Sequence, residues 1–329
     1  MIELRKSCAW TAHCVARTLA IPVVVLAAAA PTRADPVYAF TTIDDDVYGT
    51  FPQGINNAGT VSGYYLDSTG AAHGFLYSGG FSTLDDTDGV TNTYGAGINN
   101  SGNVVGTYGD AGGAHHGYFY NGSGFSTIDD PSGPSNNAHG INDSGQVVGY
   151  YAQSTSGPAT GYMLNAAHTT YTDVIFPGGG VTDTVAMGIN NAGLIVGFYI
   201  DGSGYHGFTY DGTAYNGFDD PAGIGNTLFY GVNNLGEIVG EYYDGSVLHG
   251  LLFDGSSFFA IDDPAADGYT EVYGINDSGQ ITGDFIDASG NLNGFIGDPS
   301  VPEPGSLMLL GGALAGLACL RRRRKPRAA

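Results

Sequence analysis

The chain has 329 residues and a formal net charge of −22, with 10 Lys or Arg against 32 Asp or Glu. Every basic residue lies in a terminal segment (Arg5, Lys6, Arg17, Arg33, Arg321, Arg322, Arg323, Arg324, Lys325 and Arg327), so residues 35–320 carry 31 acidic side chains and no Lys or Arg. A domain with no basic side chain cannot hold phosphates in the usual way, which excludes nucleic acid as a partner. The 55 glycines and the lack of sustained 3.6-residue periodicity exclude long helices over 35–300.

From the N-terminus, Arg5, Lys6 and Arg17 form a positive region, residues 19–30 are apolar, and Thr32-Arg33-Ala34 is a cleavage box. This pattern predicts a secretory signal peptide over 1–34. Cys8, Cys14 and Cys319 all fall in the terminal segments, so a mature domain over 35–299 has no thiol and is held by its core alone.

A unit of about 43 residues then recurs six times. Its marker, Gly-Ile-Asn or Gly-Val-Asn, starts at Gly54, Gly97, Gly140, Gly188, Gly231 and Gly274, at intervals of 43, 43, 48, 43 and 43 residues. A second marker, His-Gly-aromatic or a variant, begins at His73, His116, Thr160, His206, His249 and Asn293. A third, aromatic-x-x-Ile-Asp-Asp, stands at Phe40, Phe81, Phe125 and Phe258, with weaker copies at Tyr171 and Tyr215. Periods of this length mean solenoids, propellers or arrays.

Each unit reads as four short strands rich in β-branched and aromatic residues, separated by Gly, Asn, Asp and Ser turns such as Asn56-Asn57-Ala58-Gly59. The fold class expected is all-β, a six-bladed β-propeller of four-stranded blades. The longest link precedes Gly-Ile-Asn and suits the crossover between blades. Blades then run from the Gly-Ile-Asn strand through the Val-x-Gly and His-Gly-aromatic strands to the Phe-x-x-Ile strand. The chain leaves the repeat before a sixth Phe-x-x-Ile strand, so the unpaired strand at 40–43 is expected to close the ring and hide an edge. An open β-solenoid and a two-sheet sandwich are the rival folds.

The C-terminus, residues 300–329, carries Val301-Pro302-Glu303-Pro304, an apolar run over 307–320, and the cluster Arg321, Arg322, Arg323 and Arg324. The run is shorter than a stable membrane span, and the basic cluster holds it on the cytoplasmic side during export. The order of parts resembles the PEP-CTERM sorting signal. That resemblance implies recognition by an exosortase and the export machinery of a Gram-negative, exopolysaccharide-making bacterium, membrane contact only through the tail before processing, and delivery to the cell surface or matrix. The repeats resemble the HAF family of extracellular repeats through His73-Gly74-Phe75 and its equivalents, although Thr160 and Asn293 depart from it. That likeness implies a location and no chemistry.

Candidate chemistry is sparse. The Asn of the first marker (Asn56, Asn99, Asn142, Asn190, Asn233, Asn276) reads as bonding its own turn. The set His73, His116, His206 and His249 reads as packing across strand pairs, since equivalent positions in different blades do not share one ion. The Asp pairs (Asp44-Asp45, Asp85-Asp86, Asp129-Asp130, Asp219-Asp220, Asp262-Asp263) read as strand ends that start turns. Asp-rich loops at Asp67, Asp110, Asp201, Asp244 and Asp287 offer oxygen ligands for weak Ca²⁺ binding, or are ordinary hairpin turns. No other cofactor is expected. Glu241 and Glu271, in units five and six, form an acid–base pair that suits glycoside chemistry. The function expected is a non-catalytic structural or binding propeller of the envelope or exopolysaccharide matrix, with polysaccharide or surface proteins as partners. The alternative is a glycosidase or lyase using Glu241 and Glu271.

Overall fold

The structure is a computed structural model and describes residues 35–44, 48–86, 92–154 and 157–300. The signal peptide at 1–34, Asp45, and the sorting motif and tail from Val301 through Arg321, Arg322, Arg323 and Arg324 lie outside the described residues.

The chain is an all-β propeller. After β1 (Val37–Ile43), unit one comprises β2 (Thr50–Ile55), β3 (Val61–Leu66), β4 (Ala72–Tyr77) and β5 (Phe81–Thr83). Unit two comprises β6 (Asn92–Ile98), β7 (Val104–Gly109), β8 (His115–Tyr120) and β9 (Phe125–Thr127). Unit three comprises β10 (Ser135–Ile141), β11 (Val147–Ala152), β12 (Ala159–Leu164) and β13 (Tyr171–Val174). Unit four comprises β14 (Asp183–Ile189), β15 (Ile195–Asp201), β16 (Gly204–Tyr210) and β17 (Tyr215–Phe218). Unit five comprises β18 (Thr227–Val232), β19 (Ile238–Tyr243), β20 (Leu248–Phe253) and β21 (Phe258–Ile261). Unit six comprises β22 (Ala266–Ile275), β23 (Ile281–Asp287) and β24 (Leu292–Ser300).

Units one to four are separate four-stranded antiparallel meanders, each with its Gly-Ile-Asn strand first. Units five and six share an eight-stranded sheet, because β22 is longer than its equivalents and its Tyr269 pairs in parallel with Leu248 of β20. β1 supplies the strand that unit six lacks, pairing with β24 from Val37↔Ser300 to Ile43↔Gly294. Phe40 meets Phe295 edge-on at 5.1 Å and 75°, much as Phe81 meets Phe75 within unit one at 5.0 Å and 72°.

The core lies between neighbouring units. The third residue of the His-Gly-aromatic marker is fully buried in every copy: Phe75, Tyr118, Tyr162, Phe208, Leu251 and Phe295 are each 0% exposed. One such layer joins Val105 and Ile128 of unit two to Ile141, Val147, Tyr162 and Leu164 of unit three. Each side chain of this size contributes about 1.5–3 kcal/mol by leaving water, which is how a chain without disulfides in its folded part stays closed.

Two glycine markers follow from close backbone approach. A Cβ on Gly97 would lie 2.5 Å from the His139 carbonyl oxygen of the next unit's inner strand. A Cβ on Gly240, the Val-x-Gly position, would lie 1.9 Å from the Leu228 carbonyl oxygen. No side chain fits at either place, so both markers repeat as Gly.

Candidate functional site

The six inner strands β2, β6, β10, β14, β18 and β22 line the propeller axis. At one end their last residues form a closed ring of hydrogen bonds. Nδ2 of Asn56 donates to the carbonyl of Asn99, and the pattern passes through Asn142, Asn190, Asn233 and Asn276 back to Asn56, at 3.0–3.2 Å throughout. Each Oδ1 also accepts from amides of its own turn, as Asn56 does from Ala58 and Thr60, both at 3.0 Å. Bonding within the turn is half of the Asn role; the link to the next unit is the half that sequence alone did not reveal.

A second ring lies outside the first. The backbone N–H of Asn57 donates to Oδ1 of Asn100, and the series continues through Asp143, Asn191, Asn234 and Asp277 back to Asn57 at 2.8–2.9 Å. Asp143 and Asp277 each accept side-chain amides from both flanking Asn residues. Beyond these rings the axis continues as a neck of about 80 Å³ lined by the Gly-Ile residues of the inner strands.

Past the neck the axis widens into a cavity of about 540 Å³, bounded by all six units. Bulges shape it. The register of β2, β10, β14, β18 and β22 against the second strand shifts at the residue before the marker Gly, namely Gln53, His139, Met187, Tyr230 and Tyr273. A bulge re-aims the extra side chain, and all five line the cavity. The residue after Val-x-Gly supplies Tyr64, Tyr150 and Phe198 to the same wall. His139 stacks on Tyr150 at 5.6 Å, and burial lowers its pKa to about 4, so it is neutral. None of these residues stood out in sequence, because they occupy positions where the copies differ; the signal was variation inside an otherwise repeated strand.

Units five and six depart furthest from the rest. Where the others carry Tyr64, Thr107, Tyr150 and Phe198, they carry Glu241 and Asp284. Glu271 sits directly across the strand pair from Asp284. The structure brings Glu241 and Glu271 together and adds Asp284, which sequence reading missed among many other aspartates. Tyr64, Tyr230, Tyr269 and Tyr273 surround the three carboxyls. Tyr273 donates its hydroxyl to Oε2 of Glu271 and stacks on Tyr230 at 4.9 Å. Burial, with a hydrogen bond and repulsion from Glu271, raises the pKa of Glu241 to about 10. Burial and the Glu271 charge push Asp284 well above the carboxylate range. Asp284 is 0% exposed with neither oxygen hydrogen-bonded, and Oε2 of Glu241 also lacks a partner.

The His set occupies four separate sites on the outer parts of the units. His73 Nδ1 lies 2.9 Å from Asp85 and Nε2 3.5 Å from Asp67. His116 bridges Asp129 and Asp110, His206 bridges Asp219 and Asp201, and His249 bridges Asp262 and Asp244. Each ring stacks on a tyrosine (Tyr65, Tyr108, Tyr199 or Tyr242) at 4.9–5.3 Å. The hydrogen bond with Asp85 raises the pKa of His73. In His116 and His206 burial opposes charge, and the paired carboxylates outweigh it, so both are raised. In the four pairs Asp85-Asp86, Asp129-Asp130, Asp219-Asp220 and Asp262-Asp263 the first Asp therefore meets the His, whereas Asp44 accepts from the Thr50 hydroxyl. The second Asp of those four pairs (Asp86, Asp130, Asp220, Asp263) is buried and begins the crossover, as Asp130 does by accepting from the Ser132 amide.

In the Asp-rich loops, Oδ1 of Asp67, Asp110, Asp201, Asp244 and Asp287 accepts amides of its own turn at 2.7–2.9 Å. Hydrogen bonds led by that of Thr69 lower the pKa of Asp67 to about 2. Among the described residues, no three His, Cys, Asp or Glu side chains have a geometry that would hold a metal ion.

Residues 300–324 match the PEP-CTERM protein-sorting motif. The chain thus bears the signal of an exported surface protein of a Gram-negative bacterium, a signal that implies exosortase processing. No curated protein matches the chain in sequence. Among solved structures, the β-propeller domain of the Trilobed protease from Pyrococcus furiosus is similar at 10% identity and a TM-score of 0.51, over 82% of this chain and 94% of that one. TolB from Acinetobacter baumannii is similar at 12% identity and 0.51, over 73% of this chain and 63% of that one. A fungal lectin from Aleuria aurantia, described as a six-bladed β-propeller with a fucose recognition mode, gives 12% identity and 0.49 over 78% and 98%. The first two likenesses establish the propeller fold and nothing about activity.

Proposed function

We propose that this protein is a six-bladed propeller of HAF type, displayed on the cell surface or in the exopolysaccharide matrix, that binds a saccharide in its axial cavity without altering it. Six blades are supported by the six-membered Asn rings and by the division of the eight-stranded sheet into two four-strand meanders, the second completed by β1. The observation that carries the binding reading is the cavity itself. Its 540 Å³ is the size of a small-ligand site, and Tyr64, Tyr150, Phe198, Tyr230 and Tyr273 give it aromatic walls beside the amides of Gln53 and Asn137. Flat apolar faces beside a few amides suit sugar rings, which present C–H faces and hydroxyl edges. The lack of Lys and Arg disfavours phosphate and sulfate esters.

The glycosidase reading is weaker on geometry. Such enzymes hold two carboxyls roughly 5–9.5 Å apart across a scissile bond. Glu241 and Glu271 instead belong to one crowded cluster in which Glu271 raises the pKa of Glu241 and accepts from Tyr273, and neither is among the residues that line the cavity.

The test is titration of the processed, exported protein with oligosaccharides from bacterial exopolysaccharides, beside Val185→Trp, which fills the cavity from β14. Binding by the native protein and its loss in the variant are expected. Equal binding by both would place the ligand elsewhere.

A further inference from the structure

The three carboxyls behind the cavity wall have no cation inside the protein, since residues 35–320 contain no Lys or Arg. The groups facing them are the phenols of Tyr64, Tyr230, Tyr269 and Tyr273, all neutral. A buried carboxyl without a partner costs stability, and here three oxygens are in that state: both of Asp284 and Oε2 of Glu241. A wall with a purely structural role would be met by the Tyr or Phe found at the same strand position in units one, three and four. The acids therefore mark the wall of units five and six as chemically distinct from the rest of the cavity.

We infer that the cavity selects a ligand carrying a protonated primary amine, which seats against Glu241, Glu271 and Asp284 while the rest of the ligand occupies the cavity. The inference rests on the proposal that the cavity binds a saccharide, and it narrows that ligand to a sugar with a free amine. An ammonium brings three N–H donors and no acceptor, matching a cluster short of donors. The rings of Tyr64, Tyr230 and Tyr273 belong to both the cavity wall and the cluster, and aromatic faces attract a cation within about 6 Å. A metal ion fits less well, because no three acidic or His side chains have metal-holding geometry among the described residues. Glu241 is protonated when the site is empty, so a seated ammonium drives its proton into solution. Binding then strengthens as pH rises while the amine remains charged.

The test is calorimetric titration of the processed protein at pH 5 and 6, where the free sugar amine is already charged, in two buffers of different ionisation heat. The probes are a glucosamine oligomer, its N-acetylated counterpart and a trilysine peptide. The glucosamine oligomer is expected to bind at least tenfold more tightly than the acetylated one and to release protons. Asp284→Asn and Glu241→Gln, whose fold is checked by near-UV circular dichroism, should abolish the preference and the proton release. Equal binding of the two oligomers, or no proton release, overturns the inference and leaves the saccharide reading intact. Binding of trilysine alone keeps the amine site and overturns the saccharide reading. Binding of none of the probes overturns the inference as well as removing support for the cavity.

Discussion

Asn276 donates its side-chain amide to the backbone carbonyl of Asn56, 3.0 Å away and 220 residues earlier in the chain. That bond closes the inner ring, so the first and last units are joined by the same contact that joins every other pair. Asn56→Ala would remove one inter-unit bond and two turn bonds in a buried place. At about 0.5–1.5 kcal/mol per bond, plus the desolvation of stranded partners, a loss of roughly 2–4 kcal/mol is expected from denaturant unfolding. Asn57→Ala, on the exposed outer ring, should cost less than half as much.

Closure also depends on β1. Removing residues 37–43 would uncover the full edge of β24 and the Phe295 ring that Phe40 covers. Thermal melts should show a large drop in Tm and concentration-dependent aggregation. Phe40→Ala alone should cost about 3–5 kcal/mol if this strand is core, and well under 1 kcal/mol if it is only a fraying end.

The raised pKa values of His73, His116 and His206 set a pH dependence with a definite sign. Their stabilising charge is present below the unfolded value of about 6.5 and is lost as pH rises through the higher folded values. Stability should therefore fall on the alkaline side of pH 6.5. The triple variant His73→Asn, His116→Asn, His206→Asn should flatten that slope, as read from urea midpoints between pH 5 and 8.5.

Glu241 acts with the same sign over a wider window. Its folded pKa of about 10 exceeds the ordinary value of about 4.5, so holding it protonated becomes a growing cost to folding between those limits. Glu241→Gln should leave Tm unchanged at pH 4 and raise it by roughly several degrees at pH 8. A lower Tm at pH 8 would show that Glu241 is ionised and paired.

Calcium is expected to act as a screening salt. The loop carboxylates at Asp67, Asp110, Asp201, Asp244 and Asp287 are occupied by their own amides, so millimolar Ca²⁺ and NaCl at matched ionic strength should give equal Tm. A rise specific to Ca²⁺ would show that these loops open to the ion.

The fold was legible because its constraints recur. Gly97 and its equivalents meet a neighbouring carbonyl, Tyr118 and its equivalents fill the layer between units, and each of these requirements is imposed in every copy. The linker lengths further gave the strand order within each unit. The cavity was not legible, because its lining lies where the copies are free to differ, at Gln53, His139, Met187, Tyr230 and Tyr273. Glu241 and Glu271 showed through only because glutamate is rare in this chain. Asp284 did not, since aspartate is common and its partnership is set across strands. The His clamps were half visible: both partners were noted, and unit three, with Thr160 in place of His, also carries Ile175 in place of the partner Asp.

Co-crystallisation of the processed protein with the glucosamine oligomer decides whether the axial cavity is the working site. A sugar ring is expected stacked among Tyr64, Tyr150 and Tyr230, with its amine directed to the carboxyls of Glu241, Glu271 and Asp284. Oligomer bound on the outer faces of the units, with the cavity holding only water, would contradict it.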